Sequence, residues 1–106
     1  MTEEKKYGLS EKTLITLEDI FKKYPSIEKV VLYGSRAKGT FKNGSDIDIT
    51  LFTDNNFTYQ DLSEIHKDFY LSNIPYTADI SIYSKLTNEN LKEHINRVGK
   101  ILYQKK

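Results

Sequence analysis

The 106-residue chain has no cysteine. Disulfide staples, cysteine-based zinc sites and thiol catalysis are therefore excluded, and the composition fits a cytoplasmic protein. Long apolar runs are also missing. The longest, Val30-Val31-Leu32-Tyr33, is far short of the ~20 residues that span a bilayer. The N-terminal Met1-Thr2-Glu3-Glu4-Lys5-Lys6 is polar and has no apolar signal core. Charge of one sign is scarce too: 16 Lys and Arg against 15 Asp and Glu leave a net +1. No global field points to nucleic acid or a membrane surface, whereas a near-neutral surface accommodates a protein partner.

What is present is a globular balance, 38% hydrophobic and 29% charged residues. The length suits a single domain, expected over residues 10–106 behind a flexible polar arm at 1–9. Ser10 can cap a first helix whose apolar face is Leu14, Leu17, Ile20 and Phe21, and Tyr24-Pro25 ends it. Val30 to Tyr33 reads as a buried strand. Residues 34–45 hold three of the five glycines and read as a loop, with room for one helical turn after Gly34. Asp46 to Leu51 alternates, with Ile47, Ile49 and Leu51 on one face and Asp46, Asp48 and Thr50 on the other. Leu62, Ile65, His66 and Phe69 mark a second helix, which Asn73-Ile74-Pro75 breaks. Thr77 to Tyr83 alternates again, with Asp79 on its polar face. A last helix, capped at Thr87 or Asn88, carries the stripe Leu91, Ile95, Val98 and Leu102. The expected architecture is α+β: a small mixed sheet with helices on one face and an open face bearing Asp46, Asp48 and Asp79.

Residues i and i+2 of a strand point the same way, roughly 6.5–7 Å apart, so Asp46 and Asp48 converge. Asp79 joins them if its strand lies alongside. Three carboxylates this close repel one another unless a cation intervenes. Few carboxylates completed by water and phosphate suit magnesium, and two such ions can clamp a phosphoryl displacement. By itself Asp-x-Asp on a strand reads first as a solvated polar face. Aspartate is depleted in strands, however, and this pair is flanked by isoleucines.

Upstream, Gly34-Ser35 follows a buried strand directly. Glycine lets backbone approach phosphate, and the Ser35 hydroxyl adds a donor. Arg36 reads equally as a phosphate contact and as a brace to an aspartate. Lys38 and Lys42 read as solvated loop charges, and Tyr33 and Tyr83 as residues packed near the site. His66 and His94 lack a second histidine at ligand spacing and read as structural, His94 as exposed. Two familiar phosphate loops are excluded. Gly34 and Gly39 have the Walker spacing, but Thr40 stands where lysine is required, and no Gly-x-Gly-x-x-Gly occurs.

Gly34-Ser35, ten residues, then Asp46-x-Asp48 resembles the signature of the DNA polymerase beta-like nucleotidyltransferase superfamily. Four fixed residues at this spacing arise by chance on the order of once per thousand chains this long. The fuller run, Gly34-Ser35-Arg36-Ala37-Lys38-Gly39 with Ser45-Asp46-Ile47-Asp48-Ile49, resembles its minimal nucleotidyltransferase (MNT) branch. The resemblance spans about Val30 to Tyr83. It implies that Gly34 and Ser35, with Arg36 beside them, hold a triphosphate, and that Asp46 and Asp48 hold two Mg2+ ions. Asp79, matched by strand pattern, would be the third carboxylate, a metal ligand and acceptor of a proton. Larger members grip base or acceptor with a second domain, for which 106 residues are expected to leave no room.

The branch resembles antitoxins encoded beside a HEPN-domain ribonuclease toxin. The implied activity is transfer of AMP from ATP to a tyrosine hydroxyl of that toxin, with a hetero-oligomer of the two as a further expectation. The competing readings are a non-catalytic binding antitoxin, and a nucleotidyltransferase acting on a small molecule or an RNA end.

Overall fold

The computed structural model describes residues 5–106. Strands β1 (Lys5–Lys6) and β2 (Leu9–Ser10) form a small antiparallel ribbon. There follow helix α1 (Glu11–Lys22), strand β3 (Ile27–Tyr33), the short helix α2 (Gly34–Lys38) and strand β4 (Ile47–Thr53). Helix α3 (Tyr59–Leu71), strand β5 (Ala78–Ile82), helix α4 (Glu89–Val98) and strand β6 (Lys100–Gln104) complete the chain.

The main sheet has the order β5-β4-β3-β6; β4 and β5 run parallel, and the other pairs are antiparallel. The class is α+β with a mixed sheet, as the sequence pattern implies. Strand β3 is central, paired on both edges and covered on both faces. That is why Val30 to Tyr33 is an unbroken apolar run rather than an alternating one. Its Val30 and Leu32 join Ile47, Ile49, Leu51 and Ile80 in one core beneath Leu17, Ile20 and Phe21 of α1 and Ile65 of α3. Val31 and Tyr33 point the other way, where Ile95 of α4 covers them. The second face is therefore capped by α4 over β3 and closed at Thr50 and Phe52 of β4, and it is exposed at Asp46 and Asp79.

Local chemistry explains the helix starts. The Ser10 side chain accepts from Thr13 N–H, and Asn88 accepts from Leu91 N–H. Thr58 and Asp61 form a reciprocal capping box. Helices α1 and α3 are tied together by Tyr24, whose hydroxyl donates to Asp68 at 2.5 Å, and by Lys23, 3.0 Å from the same carboxylate. Burial and this hydrogen bond raise the Tyr24 pKa well above its ordinary value.

Two segments differ from the sequence expectation. The last helix stops at Val98, and Leu102 lies on β6 instead of the helical stripe. Gly99 disfavours continuation of the helix, and the open edge of β3 offers Lys100–Gln104 a full set of backbone partners. Within the expected polar arm, Tyr7 and Gly8 turn the ribbon with φ of 58° and 73°, the pairing of a type I′ hairpin. Leu9 then plugs the core with no exposed surface. Residues 1–4 of that arm lie outside the described residues.

Phe21 is fully buried, with ring centroids 6.3 Å from Phe69 and 5.9 Å from Tyr103. Phe21→Ala is expected to lower unfolding free energy by about 3–5 kcal/mol in urea titrations. Ile15→Ala, at a position 53% exposed, should change it by less than about 0.5 kcal/mol.

Candidate active site

Strand pairing builds the acidic face. Asp48 and Asp79 are direct register partners across the parallel β4–β5 pair, which places their backbones about 4.8 Å apart with side chains on the same face. Asp46 stands just before β4. Ile47 N–H donates to Thr77 O at 2.9 Å, and the Thr77 hydroxyl donates to the Asp46 carboxylate, so Asp46 is held against the start of β5. The three predicted carboxylates thus come to one end of one sheet face.

Their environments differ. Asp46 and Asp79 are exposed and Asp48 is half-buried between them. Burial first, and then the negative charges of Asp79 and Asp46, raise the Asp48 carboxyl above its usual range; the Arg36 charge offsets part of this. Among the described residues, no three His, Asp or Glu side chains already stand as a metal-ligating group. The aspartates share a face without closing into a cage.

The turn after β3 completes the site. Tyr33 lies opposite Asp48 in the antiparallel β3–β4 register, so the next residue leaves the strand beside that carboxylate. Gly34 adopts φ +73°, and a Cβ there would collide with Asp48 Oδ2. Both the backbone conformation and the space therefore require glycine. Ser35 follows at the start of α2.

Arg36 is 2% exposed, and its guanidinium serves backbone. Nε and Nη2 donate to Ser45 O at 3.1 and 2.7 Å, and Nη1 donates to Tyr7 O at 3.0 Å. Its charge also lies over the rings of Tyr76 at 4.3 Å and Phe41 at 5.2 Å. Of the two roles open to it in the sequence, the structure displays a brace, though to carbonyls rather than to an aspartate. It joins α2 to the ribbon turn and to the residue preceding Asp46. Lys38 and Lys42 are exposed, as expected.

The sequence reading of His94 as an exposed residue is corrected by the structure. The residue is half-buried rather than exposed, its Nε2 accepts from Gly34 N–H at 3.1 Å, and its ring meets Tyr33 edge-on at 6.1 Å. The only available signal was its place one residue before Ile95 on the last helix, which is mute without knowing what Ile95 packs on. His66 is exposed, and Tyr83 stacks on Phe52 at 4.4 Å, farther along the same face.

The family model for "Polymerase beta, Nucleotidyltransferase" matches residues 16–106. No curated protein matches the sequence. Among solved structures, a toxin–antitoxin complex with AMP-PNP aligns with TM-score 0.70 and 19% identity, over 87% of this chain and 73% of that one. The MntA-HepT toxin–antitoxin aligns with TM-score 0.66 and 15% identity, over 91% and 74%. A complex of tri-AMPylated Shewanella oneidensis HEPN toxin with MNT antitoxin aligns with TM-score 0.65 and 16% identity, over 90% and 72%. At such identities the likeness is one of fold, the polymerase beta-like nucleotidyltransferase fold.

The raised Asp48 pKa has a definite sign. A carboxyl whose pKa is higher in the fold than in the unfolded chain favours folding only while protonated, and that contribution is lost as pH rises through the folded value. Asp48→Asn is therefore expected to raise the thermal midpoint of the metal-free protein at pH 7. At about pH 3, below the ordinary carboxylate range, the two midpoints should coincide. Calorimetry at the two pH values checks this, and an equal gain at both would show that charge is not the cause.

Proposed function

We infer that this chain, which belongs to the polymerase beta nucleotidyltransferase family, is a Mg2+-dependent adenylyltransferase that modifies a tyrosine hydroxyl of a cognate HEPN ribonuclease toxin and so acts in the cytoplasm as its antitoxin. The observation that carries the reading is the meeting of Asp46, Asp48 and Asp79 on one sheet face beside the Gly34 turn. The AMP-PNP bound in one structural neighbour and the AMPylated HEPN toxin in another point to the nucleotide and the partner.

The donor set fits magnesium. Three carboxylates offer hard oxygens, and a divalent cation would offset both the burial of Asp48 and the charges of Asp79 and Asp46 that raise it. Asp46 and Asp48 would hold two ions, with Asp79 as ligand to one of them. Bound there, magnesium supplies charge neutralisation at the phosphates and orients them for in-line displacement.

The protein's own residues do the rest. Gly34 and Ser35 seat the triphosphate, the glycine by having no Cβ where the backbone passes Asp48. The acceptor oxygen forms a bond to the α-phosphorus as the bond from that phosphorus to the bridging oxygen breaks, and pyrophosphate leaves. Asp79, exposed at the rim, takes the hydroxyl proton. The reaction needs positioning and charge stabilisation more than covalent help, so no enzyme-bound intermediate is required. Arg36 serves at one remove, fixing Ser45 and hence the approach to Asp46.

The test is intact-mass spectrometry of the HEPN partner after incubation with this protein, ATP and magnesium. Added adenylyl mass is expected with wild type and not with Asp46→Asn or Asp48→Asn. A tight complex with no added mass would replace the catalytic reading with a purely binding antitoxin.

A further inference from the structure

The Tyr33–Gly34–Ser35 turn faces the acidic site, but its first backbone donor is already engaged. Gly34 N–H donates to His94 Nε2, 60 residues away in the chain. A backbone N–H can only donate, so Nε2 must present its lone pair, which places the ring proton on Nδ1. The imidazole is not a loose side chain that happens to reach. It stands edge-on to Tyr33, interplanar angle 84°, and rises from α4, which is capped at Asn88 and anchored by Ile95, 2% exposed, against Val31 and Tyr33. On its other side Gly34 abuts the Asp48 carboxylate. The glycine is thus held from two directions by residues of two different elements.

We propose that His94 is a positioning residue for the nucleotide: by accepting the Gly34 N–H it fixes the Tyr33–Gly34 peptide plane, and with it the placement of Ser35 relative to Asp48. This rests on the nucleotide-binding reading above and divides the labour of the turn. Gly34 contributes its missing Cβ and a held peptide. The donors offered to phosphate are those of Ser35. Helix α4, which bears none of the motif residues, becomes part of the binding apparatus.

The experiment uses the full chain and reads the contact and its consequence separately. In the nucleotide-free protein, imidazole nitrogen shifts should report the Nδ1–H tautomer of His94, and the Gly34 amide should exchange slowly. Direct titration with Mg·ATP then compares variants. His94→Ala is expected to raise Kd roughly three- to tenfold, the scale of one net hydrogen bond. His94→Gln, which keeps an acceptor, should restore affinity to within about twofold, whereas His94→Lys, which offers only donors, should not. Thermal midpoints of all three separate lost affinity from lost fold. Unchanged Kd in His94→Ala, or equal weakening in the Gln and Lys variants, overturns the proposal. If wild type binds no Mg·ATP, the nucleotide reading itself fails and the role assigned to His94 fails with it; the tautomer and exchange data tell that failure from an absent contact.

Discussion

The contact between the Gly34 backbone and the Asp48 carboxylate is the constraint to which the rest of the structure answers. Antiparallel pairing of β3 with β4 sets Tyr33 opposite Asp48, so whatever follows Tyr33 must turn away beside that side chain. Only a residue without Cβ, able to take positive φ, can do so. The glycine, the register and the aspartate are one geometric unit. Moving the register by one residue would carry Asp48 to the buried side of the sheet and break all three relations at once.

Around this unit the molecule is braced by interactions that touch no carboxylate directly. Arg36, almost wholly buried, spends its donors on Tyr7 O and Ser45 O between two aromatic rings. A buried guanidinium is tolerable because its hydrogen bonds and the ring faces replace water. Its effect is to tie the ribbon turn and the loop before Asp46 to α2. From the opposite side, α4 delivers His94 to Gly34. Short α2 is thereby held by residues from both ends of the chain, which stiffens a turn too brief to hold itself.

The acidic face stands in tension with folding. Asp48 and Asp79 are adjacent across parallel strands, and the negative charge of Asp79 adds to the cost of burying Asp48. A sheet selected for stability alone would not place carboxylates there. The electrostatic cost at this candidate site is offset by a well-filled core of Leu17, Phe21, Ile49, Leu51 and Ile65 on the other face.

The sequence by itself determined the class of the fold, the alternation that sorts β4 and β5 into apolar and acidic faces, the cap at Ser10, a last cap at Thr87 or Asn88, and the Gly34-Ser35 and Asp46-x-Asp48 spacing. All of these are local: a period of two or 3.6 residues, or a motif within fifteen positions, is written in neighbouring letters. Only the tertiary structure decided the rest. The partner of β4 made Asp79 a neighbour of Asp48. The open edge of β3 turned Leu102 from a helical stripe into a strand. Burial made Arg36 a brace, and the packing of Ile95 on Val31 brought His94 to Gly34. Each of these depends on which surface a segment meets far along the chain. No local pattern encodes that, because the choice is made by which arrangement buries the apolar faces and leaves no backbone group unpaired.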